Sequence, residues 1–576
     1  MKASDYIAEF IAQQGVHVVF GYQGGNIAHI IDSFSRNERV EFVSTYHEQG
    51  AAFSACGYAM EHETIGVAVA SSGPGAINLI SGIANAFYDS IPCLFITGNV
   101  SAATMKRDLC VRQNAFQEND IVSMVSKITK YAVTVLDVHS LRYHLERAVF
   151  LAKEGRPGPV LLDIPHNIQK AELDFTCEMR FEEKECSTKI PHSEICSLIS
   201  DISTAKRPII VVGGGGQKES TRRLLGLLFD KWNIPVVSTL RGLDTISHDR
   251  INYVGFGGAY GNRAANCALR YADVVLVLGS RLDERFLCVG EDKNVFLTKN
   301  IIHVDIDAVE LGRVLPHEKR IHGDLALFLQ QLLDVDIPSL DFSEWIDIIR
   351  AWDQRYPSVP EAWSINRAAF ELVRCGDDTT IFTLDVGINQ MSIAQVIALN
   401  GKQHCYTSAG HGAMGCSLPL AIGASYASPD KVVNCFVGDG ALHMNIQELL
   451  LIKKKQLPVH LILINNSCLG MIRDYQSKAF ASRYHATVDL LQDVDYEGLA
   501  KGYGLQYFRI DSPYRLDSAA ELIRSAEPCF IELVFSEDAT TYPQIGADMF
   551  AQLPLLSEHE LNQIKQEAES CGSIIS

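Results

Sequence analysis

The sequence predicts an α/β protein made of three doubly wound domains, each built on a parallel sheet. Short apolar runs without polar alternation recur along the chain and are separated by helical stretches, which is typical of strands that helices cover on both faces. The length of 576 residues suggests about three or four domains at roughly 150 residues each. Two stretches break the pattern, a polar one from Gln169 to Lys189 and a second from Pro338 to about Pro360.

These breaks define the predicted domains. The first covers residues 1–170, where an amphipathic helix in MKASDYIAEFIAQQG precedes strands in VHVVF, EFVSTY, GVAVAS, PCLFITG and PVLLDIP. The second covers residues 190–337, with strands in RPIIVVGGGG, IPVVSTL, DVVLVLGS and IIHVDID. The third covers residues 361–545, with strands in TIFTLDVG, VVNCFVGDG, HLILINN and CFIELVF. A tail, 546–576, contains the predicted helix SEHELNQIKQEAES.

Composition excludes several classes of function. The chain is 47% hydrophobic and 21% charged, and no apolar run approaches the length of a membrane span, so we expect a soluble protein. A formal charge of −19 argues against non-specific nucleic-acid binding. The N-terminus lacks an apolar signal core, and the 15 cysteines contain no C-x-x-C pair. We therefore expect a reduced, cytoplasmic protein.

The most specific motif is FVGDGALHMNIQELLLIKKKQLPVHLILINN. Gly438-Asp439-Gly440 ends one predicted strand and Asn465-Asn466 ends the next, with a crossover helix between them. The carboxyl ends of neighbouring parallel strands would bring the Asp439 carboxylate and the Asn466 amide together. Such oxygen ligands, shared with phosphate oxygens, suit Mg²⁺. For GDG alone, a plain strand–turn–helix is the alternative.

A second carboxylate opens a helix in the first domain. Glu48, in YHEQGAAFSACGYA, follows the strand-like run EFVSTY and begins a helix of small residues. A Glu in the first helical turn complements the helix dipole and helps to satisfy free backbone N–H groups. From this stretch alone, a purely structural role is the simplest interpretation.

Taken together, these motifs resemble those of the thiamine diphosphate enzymes and, within them, the acetolactate synthase catalytic subunits. YHEQGAAFSACGYA, SSGPGAINLISGIANAFYDSIPCLFITGNV, AFQENDIV, GRPGPVLLDIP, LDVGINQ and SAGHGAMGCSLPLAIGA follow the order of that family over nearly the whole chain. The resemblance implies a pyrimidine-binding first domain, a central FAD-type domain and a third domain that binds diphosphate and Mg²⁺. It also implies a homodimer or homotetramer in which the first domain of one chain faces the third domain of another.

The resemblance assigns roles around thiamine diphosphate. Glu48 would hydrogen-bond N1′ of the aminopyrimidine ring and act in catalysis, while Met414 would lie under the cofactor and bend it. Asp439, Asn466 and the backbone carbonyl of Cys468 would bind the metal. Asn389 stands where the family has a diphosphate-binding His, and Ala441 where a Ser is common. The implied cofactor contacts are Gly387, Asn389, Gln390, Gly412, Met414, Gly438, Gly440 and Ala441.

For the central domain, the resemblance implies FAD in a mainly structural role. The run VVGGGG alone is weak support for dinucleotide binding, since many glycine runs are turns. STLRGL, GGAYGNR, GSRLDERF, HVDID and HGD nevertheless follow it in the order of the FAD domain of acetolactate synthases. Tyr260 stands where that family usually has His. The implied contacts are Gly214, Gly215, Thr239, Leu240, Gly258, Tyr260, Gly261, Gly279, Arg281, Asp305, Ile306, Gly323 and Asp324.

Pyruvate is the implied donor, and a second carbonyl compound the acceptor. Gly25, Gln117 and Lys130 occupy family positions at the reaction centre, and Arg285 a position near the access channel. Pairing with surface acids is the alternative for Lys130 and Arg285.

The acceptor stays open between a second pyruvate and the keto group of a nucleotide-linked deoxysugar, as in branched-sugar biosynthesis. Tyr475 stands where acetolactate synthases carry a Trp that shapes the acceptor pocket, and its smaller side chain would admit a larger acceptor. The tail TTYPQIGADMFAQLPLLSEHEL also resembles a branch of related enzymes found with surface-polysaccharide pathways.

Two other functions remain open. One is a flavin-linked 2-oxoacid oxidase or a simple 2-oxoacid decarboxylase of the same superfamily. The other is a binding or regulatory paralogue without activity, against which the intact Glu48, Asp439 and Asn466 argue.

Overall fold

Three six-stranded sheets, all parallel, form the framework of the molecule, which confirms the predicted fold class. The computed structural model describes residues 1–106, 109–174, 179–183, 189–287, 296–298, 300–315, 317–335, 337–488, 490–546 and 549–571. Parts of the predicted linker between Gln169 and Lys189 and of the tail lie outside the described residues. The domain limits proposed above stay a prediction.

The first sheet has the strand order β2-β1-β3-β4-β6-β5. Its inner strands β3, β4 and β6 are buried at every position, because helices cover both faces. The strands are β1 (Val18–Gly21), β2 (Glu41–Ser44), β3 (Gly66–Ala70), β4 (Cys93–Asn99), β5 (Tyr131–Thr134) and β6 (Val160–Pro165). The helices are α1 (Ala3–Gln13), α2 (Ala28–Arg36), α3 (Glu48–His62), α4 (Pro74–Asn78), α5 (Ile80–Tyr88), α6 (Ile121–Val125), α7 (Leu141–Lys153) and α8 (His166–Lys170).

The central sheet has the order β10-β9-β7-β11-β12-β13, and β8 pairs with β14 beside it. The strands are β7 (Pro208–Val212), β8 (Trp232–Asn233), β9 (Val236–Ser238), β10 (Tyr253–Phe256), β11 (Val274–Leu278), β12 (Ile301–Asp305), β13 (Lys319–His322) and β14 (Leu340–Asp341). The helices are α9 (His192–Ser203), α10 (Glu219–Lys231), α11 (Arg263–Tyr271), α12 (Glu284–Leu287), α13 (Leu325–Asp334) and α14 (Ser343–Arg355).

The third sheet has the order β16-β15-β17-β18-β20-β19. The strands are β15 (Ile381–Leu384), β16 (His404–Thr407), β17 (Val433–Gly438), β18 (Val459–Asn465), β19 (Gln506–Ile510) and β20 (Cys529–Val534). The helices are α15 (Ile365–Cys375), α16 (Ile388–Ala394), α17 (Ser417–Ala427), α18 (Asp439–Asn445), α19 (Leu449–Lys455), α20 (Gly470–Ala479), α21 (Tyr496–Gly502), α22 (Leu516–Arg524) and α23 (Glu558–Ser570). A 3-10 turn, Ile446–Glu448, joins α18 to α19.

The predicted tail helix is confirmed as α23, and its start is specified locally. The Ser557 hydroxyl accepts a hydrogen bond from the Glu560 backbone N–H, while the Glu560 carboxylate accepts one from the Ser557 backbone N–H. This capping box satisfies N–H groups that the first helical turn leaves free. No helix in the described part of the chain is both long enough and apolar enough to cross a membrane.

Five strands of the large sheets were not predicted, and all five lie at sheet edges. They are β5, β10, β13, β16 and β19. Strand β13, for example, buries one residue of four, whereas β11 buries all five. An edge strand is covered on fewer sides, so it needs no continuous apolar run that a sequence pattern could reveal.

Candidate active site

Asp439 and Asn466 meet at the carboxyl edge of the third sheet. Asp439 follows β17 and begins α18, and Asn466 follows the neighbouring strand β18. The Asn466 backbone N–H donates to Asp439 Oδ2 at 3.2 Å, and the Gly440 N–H donates to Oδ1 at 2.8 Å. Burial raises the pKa of Asp439 to about 6. The crossover predicted from the sequence therefore brings these two side chains into one loop pair.

The oxygen atoms in this loop pair fit a hard divalent cation. Ser467 has φ of 54°, and beyond it the Cys468 thiol accepts a hydrogen bond from Asn466 Nδ2 at 3.3 Å. Among the described residues, no donor reaches the Asn466 side-chain oxygen or the Cys468 carbonyl oxygen. One carboxylate, one amide oxygen and one carbonyl oxygen are the few protein ligands that Mg²⁺ takes when phosphates supply others. The described part of the chain contains no alternative metal group of three His, Cys, Asp or Glu side chains.

Glycine-rich loops surround the Asp439 carboxylate and form a concave edge. A Cβ on Gly440 would clash with Leu469 Cδ2 and stand 3.7 Å from Met414 Cε, so a larger residue there would displace the Leu469 side chain. Gly387 and Gly412 adopt φ of 139° and 69°, and nothing lies within 4 Å of a Cβ at Gly412. The space that these glycines leave open suits a group that approaches the backbone closely, such as a phosphate.

The other predicted contacts of the third domain line the same edge. Asn389 donates from Nδ2 to the Asp385 carbonyl at 2.8 Å, and its Oδ1 would lie 3.3 Å from a Cβ on Gly438. Gln390 is fully buried and donates to Thr407 Oγ1 at 2.5 Å, while its own side-chain oxygen has no partner among the described residues. Ala441 is buried directly after Gly440. The structure thus gathers all eight predicted cofactor contacts at one sheet edge.

Asp385, in the stretch LDVGINQ, is not among the predicted contacts but is tied to the Met414 loop. Its carboxylate accepts hydrogen bonds from the Gly415 N–H at 2.8 Å and from the Ser417 N–H and hydroxyl at 2.9 and 2.8 Å. Burial raises the pKa of Asp385 to about 6. Asp385 therefore anchors the loop that carries Met414.

Glu48 begins α3 at the carboxyl edge of the first sheet. His47 caps the helix, because its Nδ1 accepts a hydrogen bond from the Gln49 N–H at 3.1 Å. The Glu48 carboxylate accepts from Asn78 Nδ2 at 3.0 Å, and a Cβ on Gly75 would stand 3.0 Å from its Oε1. Glu48 itself is half-buried. The cap thus belongs to His47, which leaves the Glu48 side chain free for another role.

Gly25 and Gln117 lie on loops that meet at this same edge. Gln117, with φ of 61°, packs its backbone against Gly73, and the Gly73 N–H donates to Asn119 Oδ1 at 3.1 Å. The turn that carries Gly25 is tied to the loop after β3 through a 2.6 Å hydrogen bond from Asn26 Nδ2 to the Ser72 hydroxyl. The loops after β1, β3 and β4 therefore surround Glu48.

Lys130 does not join this group, contrary to its predicted role at the reaction centre. It precedes β5, whereas Glu48, Gly25 and Gln117 all follow strands, and the two ends of parallel strands lie at opposite edges of a sheet. Lys130 Nζ donates to the carbonyl oxygens of Glu154 and Arg156 at 2.5 and 2.8 Å. Within this chain Lys130 stabilises the loop after α7.

The carboxyl edges of the first and third sheets carry separate halves of the predicted site. The hydrogen-bond partner of Glu48 and the close neighbour of Gln117, Gly73, come from the first domain, whereas the hydrogen-bond partners of Asp439 and Asn466 come from the third. Large apolar side chains are exposed on the loops and helices that adjoin both edges. They include Leu109, Val111, Phe116, Met444, Ile472 and Tyr475, of which Phe116 is 84% exposed.

A cavity of about 400 Å³ lies at the carboxyl edge of the central sheet. Eleven of the thirteen predicted FAD contacts line it, namely Gly214, Gly215, Thr239, Leu240, Gly258, Tyr260, Gly279, Arg281, Asp305, Ile306 and Asp324. Gly261 and Gly323 do not line it. Tyr88 and Arg156 of the first domain and His404 and Tyr406 of the third complete its walls.

The walls of this cavity suit a nucleotide-like ligand with aromatic and phosphate parts. Arg285 holds its guanidinium 5.6 Å from the centre of the Tyr260 ring, and burial lowers its pKa. A Cβ on Gly215 would stand 2.8 Å from Gly279 Cα, so the turns after β7 and β11 touch through their backbones. Asp305, whose pKa burial raises, lies at the end of β12. Arg285 also lines a second, shallower pocket together with Ala409 and Gly412.

Tyr475 projects from α20, the helix that follows the Asn466 loop. The side chain is 59% exposed, and its ring meets Phe480 edge to face at 5.7 Å. Within the described chain, the Tyr475 side chain therefore lies largely in solvent.

Two further residues, Asn78 and Glu448, contact the Glu48 segment and were not among the predicted site residues. Asn78 stands in the quoted run SSGPGAINL, and no local pattern indicated its contact with Glu48. Glu448 accepts a hydrogen bond from the Tyr46 N–H. A signal did exist for Glu448, because a carboxylate stands on the apolar side of the crossover helix, between Ile446 and Leu449.

Comparison with known proteins agrees with this arrangement in every domain. Residues 1–124 match the N-terminal TPP binding domain of thiamine pyrophosphate enzymes, residues 195–332 the central domain and residues 385–533 the C-terminal TPP binding domain. The chain is 33% identical over 561 residues to the acetolactate synthase large subunit of Lactococcus lactis, which covers 95% of each protein. It is 34% identical over 564 residues to the isozyme 2 large subunit of Escherichia coli, which covers 97% of this chain and 100% of that protein. These matches span all three sheets, and the chain therefore belongs to the thiamine pyrophosphate enzymes as a thiamine diphosphate-dependent enzyme similar to acetolactate synthase large subunits.

Proposed function

We propose that this enzyme decarboxylates pyruvate and transfers the resulting two-carbon unit to a carbonyl acceptor. The observation that carries the proposal is the meeting of Asp439, Asn466 and the glycine-rich loops at one edge, in a chain similar to acetolactate synthases. When bound there, thiamine diphosphate would supply the nucleophilic carbon and the electron sink that decarboxylation of a 2-oxo acid requires. Asp439, Asn466 and the Cys468 carbonyl would hold Mg²⁺ against the diphosphate.

Glu48 is the proton-handling residue of the proposal. Its carboxylate is held by Asn78 while the helix cap is supplied by His47, so the Glu48 side chain can face a ring nitrogen. Gly25 and Gln117, on loops beside it, would border the reacting carbonyl group. Met414, anchored through Asp385, would support the cofactor from the third domain.

The complete site requires a second copy of the chain. No hydrogen bond among the described residues joins Glu48 to Asp439 or Asn466, and exposed apolar side chains adjoin both edges. Such side chains commonly mark contact surfaces between proteins. In the proposed homodimer, the Glu48 edge of one chain covers the Asp439 edge of its partner; a homotetramer would pair two such dimers.

The cavity in the central domain is the proposed FAD site. Its backbone turns at Gly215 and Gly279 and its cationic Arg285 support a nucleotide ligand. Flavin absorbance in the purified protein would support this occupancy. A colourless protein that gains neither stability nor activity from added FAD would oppose it.

A second pyruvate is the acceptor that the similarity to acetolactate synthases favours. Tyr475 supports a larger acceptor, since its side chain is smaller than the Trp that acetolactate synthases carry at this position and is largely exposed here. The keto group of a nucleotide-linked deoxysugar is therefore the second candidate acceptor.

A product analysis distinguishes the candidates. The purified protein is incubated with pyruvate, thiamine diphosphate and Mg²⁺, with and without a 4-keto-6-deoxy nucleotide sugar, and products are identified by mass. Acetolactate in both reactions supports pyruvate as acceptor, and a sugar heavier by an acetyl unit supports the second candidate. Free acetaldehyde alone, or oxygen consumption, would overturn carboligation in favour of a decarboxylase or an oxidase.

A further inference from the structure

We propose that Glu448 is a positioning residue that holds the Glu48 turn in its catalytic geometry from the third domain. The inference rests on the proposed role of Glu48. It deepens that role, because Glu448 makes no contact with Glu48 itself and acts through the backbone that precedes it.

The contact is direct and buried. Glu448 ends the 3-10 turn after α18 and is 0% exposed. Its Oε1 and Oε2 lie 3.0 and 3.2 Å from the backbone nitrogen of Tyr46, two residues before Glu48. A hydrogen bond to an ionised acceptor is stronger than one between neutral groups, so a carboxylate suits this anchoring role.

The turn before Glu48 has a second anchor on the side of its own sheet. The Thr45 N–H and hydroxyl donate to the Gly21 carbonyl at 3.0 and 3.3 Å, and the hydroxyl also lies 3.0 Å from the His47 carbonyl oxygen. Among the described residues, Glu448 is the third-domain side chain that accepts from this turn. Without the Glu448 carboxylate, the turn at Tyr46 and His47 would therefore keep only the hydrogen bonds of Thr45 within the first domain.

Gly50 makes the close approach of Glu448 feasible. A Cβ on Gly50 would stand 2.6 Å from Glu448 Oε1 and 2.9 Å from Cδ. Any larger residue at position 50 would displace the carboxylate from the Tyr46 N–H. A substitution at Gly50 therefore displaces the Glu448 carboxylate, and a substitution at Glu448 removes the group that a side chain at position 50 would displace.

Stability alone is a poor explanation for this carboxylate. Burial raises the pKa of Glu448 to about 7, and among the described residues no Lys, Arg or His side chain forms a salt bridge with it. Burying an acid without a cationic partner costs free energy. The compensating gain is the fixed position of the Tyr46 and His47 backbone.

The same short segment carries a metal ligand. The segment formed by α18 and the following 3-10 turn begins with Asp439 and ends with Glu448. Within one chain, it therefore supplies Asp439 to the edge of the third sheet and Glu448 to the turn before Glu48. In the proposed dimer, those two ends serve different active sites. Glu448 would then act at the active site that contains Glu48 of its own chain and Asp439 of the partner chain.

The first test compares Glu448→Ala, Glu448→Gln, Gly50→Ala and the double variant Gly50→Ala/Glu448→Ala. We expect Glu448→Ala to lower kcat on the order of tenfold, with the KM for pyruvate and the affinity for thiamine diphosphate nearly unchanged. Glu448→Gln keeps an acceptor oxygen and should recover most of kcat. Gly50→Ala should lower kcat alone but have no additional effect once Glu448 is Ala, because the displaced carboxylate is gone.

A readout on the protein without cofactor separates positioning from general destabilisation. Hydrogen–deuterium exchange at the Tyr46 and His47 amides should be faster in Glu448→Ala than in the wild type, while α17 and β18 keep their protection. Glu38→Gln, at an exposed position of the first domain, is the control and should change neither kcat nor exchange.

The outcomes decide between the two proposals. If Glu48→Gln loses turnover while Glu448→Ala keeps full kcat and unchanged exchange, the role of Glu448 is overturned and that of Glu48 stands. If Glu48→Gln keeps full turnover, the proposed role of Glu48 fails, and the product analysis described above still tests the proposed function. A Glu448→Ala protein that does not fold leaves Glu448→Gln and Gly50→Ala as the test, and full kcat in Gly50→Ala would reject the inference.

A mixed dimer tests which active site Glu448 serves. Co-assembly of a Glu448→Ala chain with an Asp439→Ala chain should restore one intact site, with about half of the wild-type kcat per dimer. Co-assembly of wild type with a chain carrying both substitutions should leave only an impaired site. Equal kcat values in the two mixtures would contradict action across the dimer.

Discussion

The first and third sheets have the same strand order and different chemistry at their carboxyl edges. In each, the sheet runs second strand, first, third, fourth, sixth and fifth. The loops of the first sheet present the half-buried Glu48 carboxylate beside Asn78, while the buried Glu118 carboxylate next to Gln117 accepts hydrogen bonds from backbone N–H groups of its own loop. The corresponding loops of the third sheet present buried Asp439 with the amide of Asn466. Under the proposed function, the same topology would support proton transfer at one edge and metal binding at the other, through a few different loop residues.

The two domains also pack through corresponding helices. Each helix follows the second strand of its domain, and α3 and α17 cross with their backbones in contact. A Cβ on Gly57 would stand 2.2 Å from the Leu420 carbonyl oxygen, and one on Gly423 would stand 1.9 Å from that of Ser54. This crossing packs the first and third domains of one chain closely against each other.

The largest expected effect follows from removal of the proton-handling group. Glu48→Gln should lower kcat about 10²–10⁴-fold, because a neutral amide cannot exchange a proton with a ring nitrogen. The affinity for thiamine diphosphate and Mg²⁺, measured by titration calorimetry, should stay near wild type. Unchanged kcat would show that Glu48 is not required for proton transfer, and the two edges would then not differ in the way proposed.

At the Asp439 edge, we expect a substitution to weaken metal binding. Asp439→Asn should weaken Mg²⁺ binding by more than about 100-fold, since loss of even an indirect partner of a metal ligand costs 10–100-fold. Calorimetric titration of Mg²⁺ in the presence of thiamine diphosphate measures this change. Asp430→Asn, before the opposite end of β17, is the matched control. Wild-type Mg²⁺ affinity in Asp439→Asn would show that the metal lies elsewhere.

The contact between the two domains should depend on pH through Glu61, at the end of α3. Its carboxylate accepts hydrogen bonds from His404, Tyr406, Ser428 and Lys431 of the third domain. Burial opposes ionisation of Glu61, but His404 and Lys431 outweigh it and lower the pKa from 4.5 to about 2. This lowering of the Glu61 pKa contributes about 3 kcal/mol to the free energy of unfolding. The contribution is present above pH 4.5 and is lost as the pH falls toward 2.

Glu61→Gln should therefore lower the free energy of unfolding by about 3 kcal/mol at pH 7 and remove the Glu61 part of the decline toward acid pH. Denaturant unfolding from pH 7 to pH 3 measures both effects. Glu497→Gln, in an exposed pair with Lys501, is the control and should cost less than about 1 kcal/mol. Equal stabilities of wild type and Glu61→Gln at pH 7 would contradict this account.

The smallest effect is expected at the acceptor side of the third domain. Tyr475→Trp should change the ratio of kcat/KM for a second pyruvate to that for a nucleotide-linked keto-sugar on the order of tenfold, in favour of pyruvate. The added ring bulk narrows the space beside α20 without touching Asp439 or Glu48. Tyr514→Trp, at a position that is almost fully exposed, should leave the ratio unchanged.

Several features of this protein were predictable from the sequence because they depend on neighbours along the chain. The inner strands appear as apolar runs, since both of their faces are buried. Asp439 and Asn466 could be paired because a single crossover helix separates two adjacent strands. The edge strands β13 and β19 escaped prediction because exposure frees their side chains from any pattern.

The sequence by itself determined the family, the parallel sheets and the residue types at the Asp439 edge. Only the tertiary structure decided that Lys130 lies away from Glu48, that three domains enclose the cavity beside Tyr260, and that Glu448 supports the turn before Glu48. Each of these depends on contacts between residues far apart in sequence, such as Tyr46 and Glu448. Local spacing sets which face of a helix or strand a side chain occupies, but the packing of whole domains sets what that face meets.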